Sequence, residues 1–483
     1  MTMYPYLNLL PIVALSFFIK SFVHLMCVVF MLRNFFSLIL SYYSCKRFSR
    51  NTNISIIFAI SYTLSNVTLY YAVNGMDMGI SSSLLFMPLV LFGFYDLMYY
   101  QKWVEFSLGL TAIIFCHVMI AIIVLFMTLI LIGCNFFQLL KQKFIPLLKA
   151  LSVTILATAI FWIPFVVFHC SNKISAPESG SLQGIGFLTS VNNTFSNQLF
   201  PPCLSVIALI GFILILFIYK SLHKIYKQMF FLAIFFLIMN SNFFPWHLLE
   251  KTSLSALQFP YILDVVPQLI LCYMFALSVI YLYRNNQYKN LIMPIIIFLL
   301  ICIQFEGQQN QVDINLNSPK LNTFKVYENA QKNYRVQSQK NFKFMNNDRR
   351  IMDINDYWPR NTPSNVSYNV IHQVGIHGNK LLQMHESRNG KFEYNSRREI
   401  KSLKLPFIHY NGIAYDVTLD GRRILFHHDK HSLMVVNRLP KGHHLIQIQT
   451  SNNMYDYFGM VLSFLGVVCY IFELIKRRKK VHD

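Results

Sequence analysis

Long apolar runs alternate with short polar breaks over the first 305 residues. The clearest runs are 21–43, 54–73, 80–99, 103–140, 145–170, 204–219, 229–244, 262–283 and 291–305. A last run, 457–474, stands alone near the C-terminus. A helix needs about 20 apolar residues to cross a bilayer, so each run predicts a membrane helix. Run 103–140 is too long for one helix and predicts a tight pair broken near Cys116 and His117. With the shorter apolar piece 6–18, the pattern predicts about 11 spans.

The breaks carry a sidedness signal. Lys46, Arg47 and Arg50 follow the first long run; Lys102, Lys141 and Lys143 flank later ones. Lys220, His223, Lys224 and Lys227 follow run 204–219, Arg284 and Lys289 follow 262–283, and 476–480 reads LysArgArgLysLys. Lys and Arg collect in cytoplasmic loops, and all these clusters fall on one side if the runs alternate in direction. The expected protein lies in the plasma membrane with a cytoplasmic C-terminus. Its one long hydrophilic stretch is expected outside. The domains read as a multi-span region 1–305, an extracytoplasmic domain 306–455, a C-terminal helix 456–475 and a basic tail 476–483. By the same parity the chain starts outside. It shows no basic n-region or small-residue cleavage site, so a cleavable signal peptide is not expected.

Within the outer domain, 306–350 is rich in Asn, Gln and Lys, with helix-spaced Leu321, Phe324, Val326 and Tyr327, and reads as a stalk. Residues 351–455 read as β. Short alternating runs are separated by HisGlyAsn at 377–379, AsnGly at 389–390, AspGly at 420–421 and ProLysGly at 440–442. AspGly between two such runs is a hairpin signal, and the whole predicts an antiparallel sheet or a small sandwich.

Composition agrees. The chain is 54% hydrophobic and only 13% charged, which excludes an ordinary soluble globule. The net charge of +21 follows from basic cytoplasmic loops and does not point to nucleic acid. In the outer stretch, however, 21 Lys and Arg stand against 12 Asp and Glu over 305–455. That excess fits contact with an anionic envelope polymer or lipid headgroups as well as simple solubility. The nine cysteines lie in or beside apolar runs without a CxxC pair, so no structural zinc is expected. Cys170 and Cys203 flank one outer loop, where separate thiols are favoured over a disulfide.

Several phrases together resemble one family. FMPLVLFGFYDL (86–97) resembles a loop-to-helix passage of bacterial GT-C glycosyltransferase-like proteins, and FCHVM (115–119) sits where these often carry Ser-His. FPWHLLEKTSLSALQFPYIL (244–263) is similar to their outer "LQFPWR" passage. INDYWPRNTP (354–363), and LPKGHHLIQIQ (439–449) before a last helix and basic tail, are similar to YfhO-type membrane proteins. The resemblance implies a GT-C-like fold and sugar transfer from a polyprenyl-phosphate donor. It also implies a loop carboxylate that activates the acceptor or orients a divalent cation, an Arg for the carrier phosphate, and an apolar groove. The sequence departs at two of these. It opens where the family's second helix is expected, so the loop with the acid is not matched, and Tyr261 and Ile262 stand where an Arg is expected.

The candidate residues follow from that chemistry. Asp77, Asp264 and His117 are the catalytic candidates, each against a plainer reading. Asp77 is also a turn residue, Asp264 an N-terminal helix residue, and His117 a histidine bonded to a neighbouring carbonyl. Lys20, His24, His247 and Gln258 are candidates for the lipid phosphate, with snorkelling as the alternative for the first two. Trp246 reads as an interfacial anchor. His427, His428, His431, His443 and His444 make no evident metal set, because adjacent residues on a strand face opposite ways. The alternatives to an enzyme are an inactive envelope scaffold or a carrier of lipid-linked substrate.

Overall fold

A computed structural model describes residues 5–74, 77–138, 144–174, 182–199, 203–283, 289–317, 358–362, 374–377, 380–387 and 390–482. The chain is mostly helical and divides into two compact units. The larger comprises Tyr4–Thr158, Ser179–Pro319 and Ser463–Asp483; the smaller comprises Met1–Met3, Ala159–Glu178 and Lys320–Leu462.

The larger unit is built from apolar helices. In chain order they are α1 (Leu10–Ser16), α2 (Phe22–Ser49), α3 (Thr52–Thr63), α4 (Asn66–Leu69), α5 (Met78–Leu84), α6 (Met87–Tyr100), α7 (Val104–Cys116), α8 (Val118–Cys134), α9 (Phe136–Gln138) and α10 (Phe144–Ala157). After α11 (Ala159–Ser171), which belongs to the smaller unit, come α12 (Phe187–Phe195), α13 (Val206–Ile218), α14 (Lys224–Asn240), α15 (Val265–Tyr283) and α16 (Lys289–Asn317). The last helix, α17 (Met454–His482), runs from the smaller unit into the larger.

Polar side chains set where several helices start. Asn51 caps α3 by accepting from the amides of Asn53 and Ile54, Asp77 caps α5, His117 caps α8 and Ser205 caps α13. The predicted break at Cys116 and His117 is therefore present, because His117 leaves α7 in an extended conformation and begins α8. Phe48, Phe58, Phe92 and Tyr273 form the aromatic centre of the core, with ring centroids 5.0 to 6.0 Å apart.

Among the described residues, five helices are long and apolar enough to cross a membrane, or seven if two bent pairs each count as one span. These do not account for all 11 predicted spans: among the described residues other apolar runs form helices of only 10 to 17 residues, too short to reach across about 30 Å singly. Helix α16 continues to Asn317, past the predicted boundary at 305, so the start of the expected stalk is helix continuous with the apolar run. The rest of that stalk, and Ile354 to Tyr357 of the INDYWPRNTP phrase, lie outside the described residues. Trp246 is buried, and its indole donates to the Met239 carbonyl at 2.7 Å. All nine cysteines are free thiols.

An ion network ties four helices of the larger unit. Arg47 of α2 bonds Asp96 of α6 at 3.1 Å and also Glu105 of α7, which accepts from Arg477 of α17 at 2.9 Å. Nearby, the Tyr470 hydroxyl of α17 lies 2.6 Å from Ser107 and 2.9 Å from Thr111.

The smaller unit holds a β-sandwich. Its strands are β1 (Val374–His377), β2 (Lys380–Gln383), β3 (His385–Ser387), β4 (Lys391–Ser396), β5 (Ile400–Ile408), β6 (Ala414–Leu419), β7 (Arg422–Arg423), β8 (Phe426–His428), β9 (Leu433–Leu439) and β10 (Gly442–Ser451). They form two five-stranded antiparallel sheets, ordered β2-β1-β5-β9-β8 and β3-β4-β10-β6-β7. The core takes Phe392, Tyr394, Val417, Ile446 and Ile448 from one sheet and Ile400, Leu403, Leu405, Met434 and Val436 from the other. AspGly at 420–421 makes the predicted hairpin between β6 and β7, with φ of 48° and 84°, the left-handed pair of a type I′ turn. ProLysGly at 440–442 instead carries the chain from one sheet to the other. In the same unit Asn172, following α11, exchanges two 2.8 Å hydrogen bonds with the backbone of Asn411, while Phe168 stacks near Tyr410.

Candidate functional site

Arg33 is the residue around which the site is built. It sits mid-way along α2, where a guanidinium surrounded by apolar side chains is costly unless bonded. Its Nε and Nη2 donate to the Ser81 carbonyl at 3.3 and 3.1 Å, and Nη1 donates to Asn34 Oδ1 at 2.8 Å. Three of its five N–H groups are thus used and two remain. Among the described residues it pairs with no carboxylate.

Arg33 lies in the wall of a cavity of about 390 Å³. Phe30, Phe36, Ala72, Met78 and Ser81 line it beside the arginine. The chemistry is one positive charge in a largely apolar enclosure, within the size range of small-molecule sites. Such an enclosure suits an anion that carries a hydrocarbon chain.

Two of the catalytic candidates meet beside it. Asp77 immediately precedes the cavity residue Met78, and its Oδ1 accepts from the Ile80 amide at 2.8 Å. Ser81, which holds Arg33, lies one turn further along the same helix, about 5.4 Å of rise. His117 caps α8 through Nδ1, which accepts from the Ile120 amide at 3.4 Å, and it stands within electrostatic reach of Asp77. Gly79 lets them approach: a Cβ there would lie 2.8 Å from the His117 ring and 3.3 Å from Asp77 Oδ1.

The third candidate, Asp264, closes the 3-10 turn Pro260–Asp264 and is fully buried. Tyr71 links it to the others, lying within electrostatic reach of both Asp264 and Asp77, while Tyr70 bonds Tyr261. The structure therefore brings Asp77, His117, Tyr70, Tyr71, Tyr261 and Asp264 into one neighbourhood.

The phosphate candidates lie elsewhere. Lys20, His24 and His247 are exposed, and Lys20 Nζ reaches the Ser16 carbonyl at 3.5 Å. Gln258 is half-buried in a left-handed conformation after the turn Ser253–Leu257. The cation in the cavity wall is Arg33, which lies within an apolar run and not among the Lys and Arg between runs. An ionisable residue inside an apolar run is the signal that finds it.

Among the described residues, no group of three or more His, Cys, Asp and Glu side chains is placed to hold a metal ion. The sandwich histidines are used locally. His444 Nδ1 donates to Asp420 Oδ2 at 2.7 Å and Nε2 to the Lys441 carbonyl at 3.0 Å, which raises its pKa; the Leu445 amide first, and then His444, lower that of Asp420. His443 lies 3.6 Å from Glu393, and His409 stacks on His428 with centroids 4.7 Å apart. Burial and that second imidazole lower the pKa of His409.

Comparison with models of protein families, with curated proteins and with solved structures finds no match.

Proposed function

We propose that this chain is a GT-C-like, YfhO-like membrane protein that binds a polyprenyl-phosphate-linked sugar and passes the sugar to an envelope polymer or glycolipid at the outer face. The observation that carries this reading is Arg33: a buried guanidinium with two unused N–H donors, opening on a mostly apolar cavity of about 390 Å³. Its planar fork suits a phosphate, and the aromatic and aliphatic walls suit the first isoprene units. Asp77, one turn from the residue that holds Arg33, is the carboxylate that takes the acceptor hydroxyl proton, with His117 beside it to tune its charge. A single carboxylate already engaged as a helix cap is a poor resident site for a divalent cation, so no step is assigned to a metal.

A second reading has its own observation. Asp77 Oδ1 is committed to the Ile80 amide, as in an ordinary helix cap. That favours a scaffold or carrier that binds the lipid-linked sugar without chemistry.

The test uses the full chain reconstituted with a radiolabelled polyprenyl-phosphate sugar. Arg33→Ala should weaken donor binding about 10- to 100-fold, the loss of one or two charged hydrogen bonds. Asp77→Asn should keep binding and abolish release or transfer of sugar. If Arg33→Ala binds like the parent, the site assignment fails. If Asp77→Asn behaves as the parent, or the parent turns over no donor, the scaffold or carrier reading takes its place.

A further inference from the structure

Asp264 is used by nothing in the reading above. Its side chain is 1% exposed, and neither carboxylate oxygen has an aligned hydrogen-bond partner. The oxygens around it are in the same condition. Asn240 Oδ1, at the end of α14, and the Tyr71 hydroxyl are both buried and unpaired. The Asn240 carboxamide reaches the carboxylate as a neutral donor, and the helical turn carrying Asp264 is packed on α14. Tyr71, in the π-turn Tyr70–Asn74, and Cys203, in the segment before α13, lie within electrostatic reach of it. These are the titratable groups that look toward Asp264, and Tyr71 also senses Asp77. No cation among the described residues pairs with it.

An ionised carboxylate enclosed by apolar helices with only neutral donors and no cation is not a stable arrangement. Its neighbours Asn240 and Tyr71 are neutral, so whatever they donate or accept, they do not supply the missing positive charge. A carboxylate, a carboxamide oxygen and a phenol oxygen are, however, the ligand types of a hard cation, and one negative charge balances one positive. A proton satisfies the same three groups in another way. The Asp264 carboxyl then donates to Asn240 Oδ1 and accepts from the Tyr71 hydroxyl. Asn240 also lines a second cavity, of about 230 Å³, walled by Thr194, Leu204, Leu209, Phe212 and Leu237. Asn240 is the residue shared by that cavity and the buried carboxylate.

We propose that Asp264, Asn240 and Tyr71 form an exchangeable site for a single positive charge, a sodium ion or a proton, reached from the Asn240 cavity. The site joins α14, the start of α15 and the π-turn leading to Asp77, so its occupancy is coupled to the packing of those three segments.

The experiment uses the full chain in lipid nanodiscs. Thermal unfolding is followed against sodium chloride, with choline chloride holding ionic strength, and carboxyl infrared bands are followed against pH. If the ion is sodium, the folded-to-unfolded ratio rises about tenfold for each tenfold increase above its Kd, and Asp264→Asn removes the effect. If it is a proton, sodium does nothing, and a protonated-carboxyl band that responds to bulk pH is lost in Asp264→Asn. Should that variant fail to fold, Tyr71→Phe decides, because it weakens the sodium response or shifts the carboxyl band while keeping the acid. Stability indifferent to sodium together with an always-ionised carboxylate overturns the site. So does an unchanged response in the folded Asp264→Asn or Tyr71→Phe variant.

Discussion

His444 shows how far a single side chain is decided by what its neighbours accept. Both ring nitrogens donate, one to a carboxylate and one to a carbonyl, so the doubly protonated ring is the form the fold selects. Its pKa is raised above the ordinary value of about 6.5, and Asp420, which also accepts from the Leu445 amide, is lowered. The signs set the window. The histidine's contribution is complete below its unfolded value and is lost as pH rises through the folded one. The aspartate's contribution is present above its unfolded value and is lost as pH falls through the folded one. The pair therefore supports the β6–β7 hairpin across mildly acidic pH and lets go on the alkaline side. Histidine-labelled protein followed by NMR should show His444 titrating above the ordinary histidine value of about 6.5, and Asp420→Asn should bring it back toward that value; a parent value at or below it would disprove the pairing. None of this was legible in the sequence. The HisHis pair was visible, but its partner lies 24 residues away, brought near by a register that only the folded sandwich supplies. Asp77 and His117 were visible as polar residues among apolar runs, whereas their meeting depends on Gly79 and on two helix starts facing each other.

At the scale of elements, hydrophobic runs located most of the helices, and their true ends came from caps. Asn51, Asp77 and His117 each begin a helix with a side-chain acceptor, and Arg50 and Gln101 end helices in the left-handed region. The polar continuation of α16 to Asn317 was not legible, because its Gln and Asn residues look like loop by composition yet extend a helix already nucleated. Close helix contacts leave a subtler trace. Gly459 and Gly466 lie seven residues apart on α17, and each faces backbone: a Cβ at 459 would come within 2.9 Å of the Ala159 carbonyl, and one at 466 within 2.6 Å of Ala157 Cα. Small residues allow such approach where lipid offers no hydrophobic drive to pack. Gly466→Leu should force α17 off this contact and destabilise the folded protein by about 1–3 kcal/mol. Gly133, which has open space around it, should accept leucine with little change. Thermal unfolding in detergent compares the two; equal losses would mean that α17 is not held by this contact.

For the molecule as a whole, orientation rests on charge and not on any single contact. Helix α17 leaves the smaller unit and ends in a basic tail, with Arg477 bonded to Glu105 and Lys476 exposed beside it. Moving that cluster across a bilayer is strongly disfavoured, since each cation buried at mid-membrane costs about 3 kcal/mol or more. If the tail stays inside, one crossing places the β-sandwich outside. The basic excess of residues 305–455 is then a property of the outer surface, as contact with anionic polymer or headgroups requires. This argument commits two positions to opposite sides. Arg422→Cys, on the exposed edge strand β7, should react with a membrane-impermeant maleimide in intact cells, and Lys476→Cys only after lysis. Native thiols give the background, measured on the unsubstituted chain. Labelling of Lys476→Cys in intact cells, with Arg422→Cys protected, would invert the molecule. The Arg33 cavity would then have to draw its phosphate from the cytoplasmic leaflet, and a nucleotide-linked donor would replace the lipid-linked one as the substrate to test. Equal labelling of both positions before lysis would mean that α17 does not cross the membrane, and the sandwich would lose its claim to an outer partner.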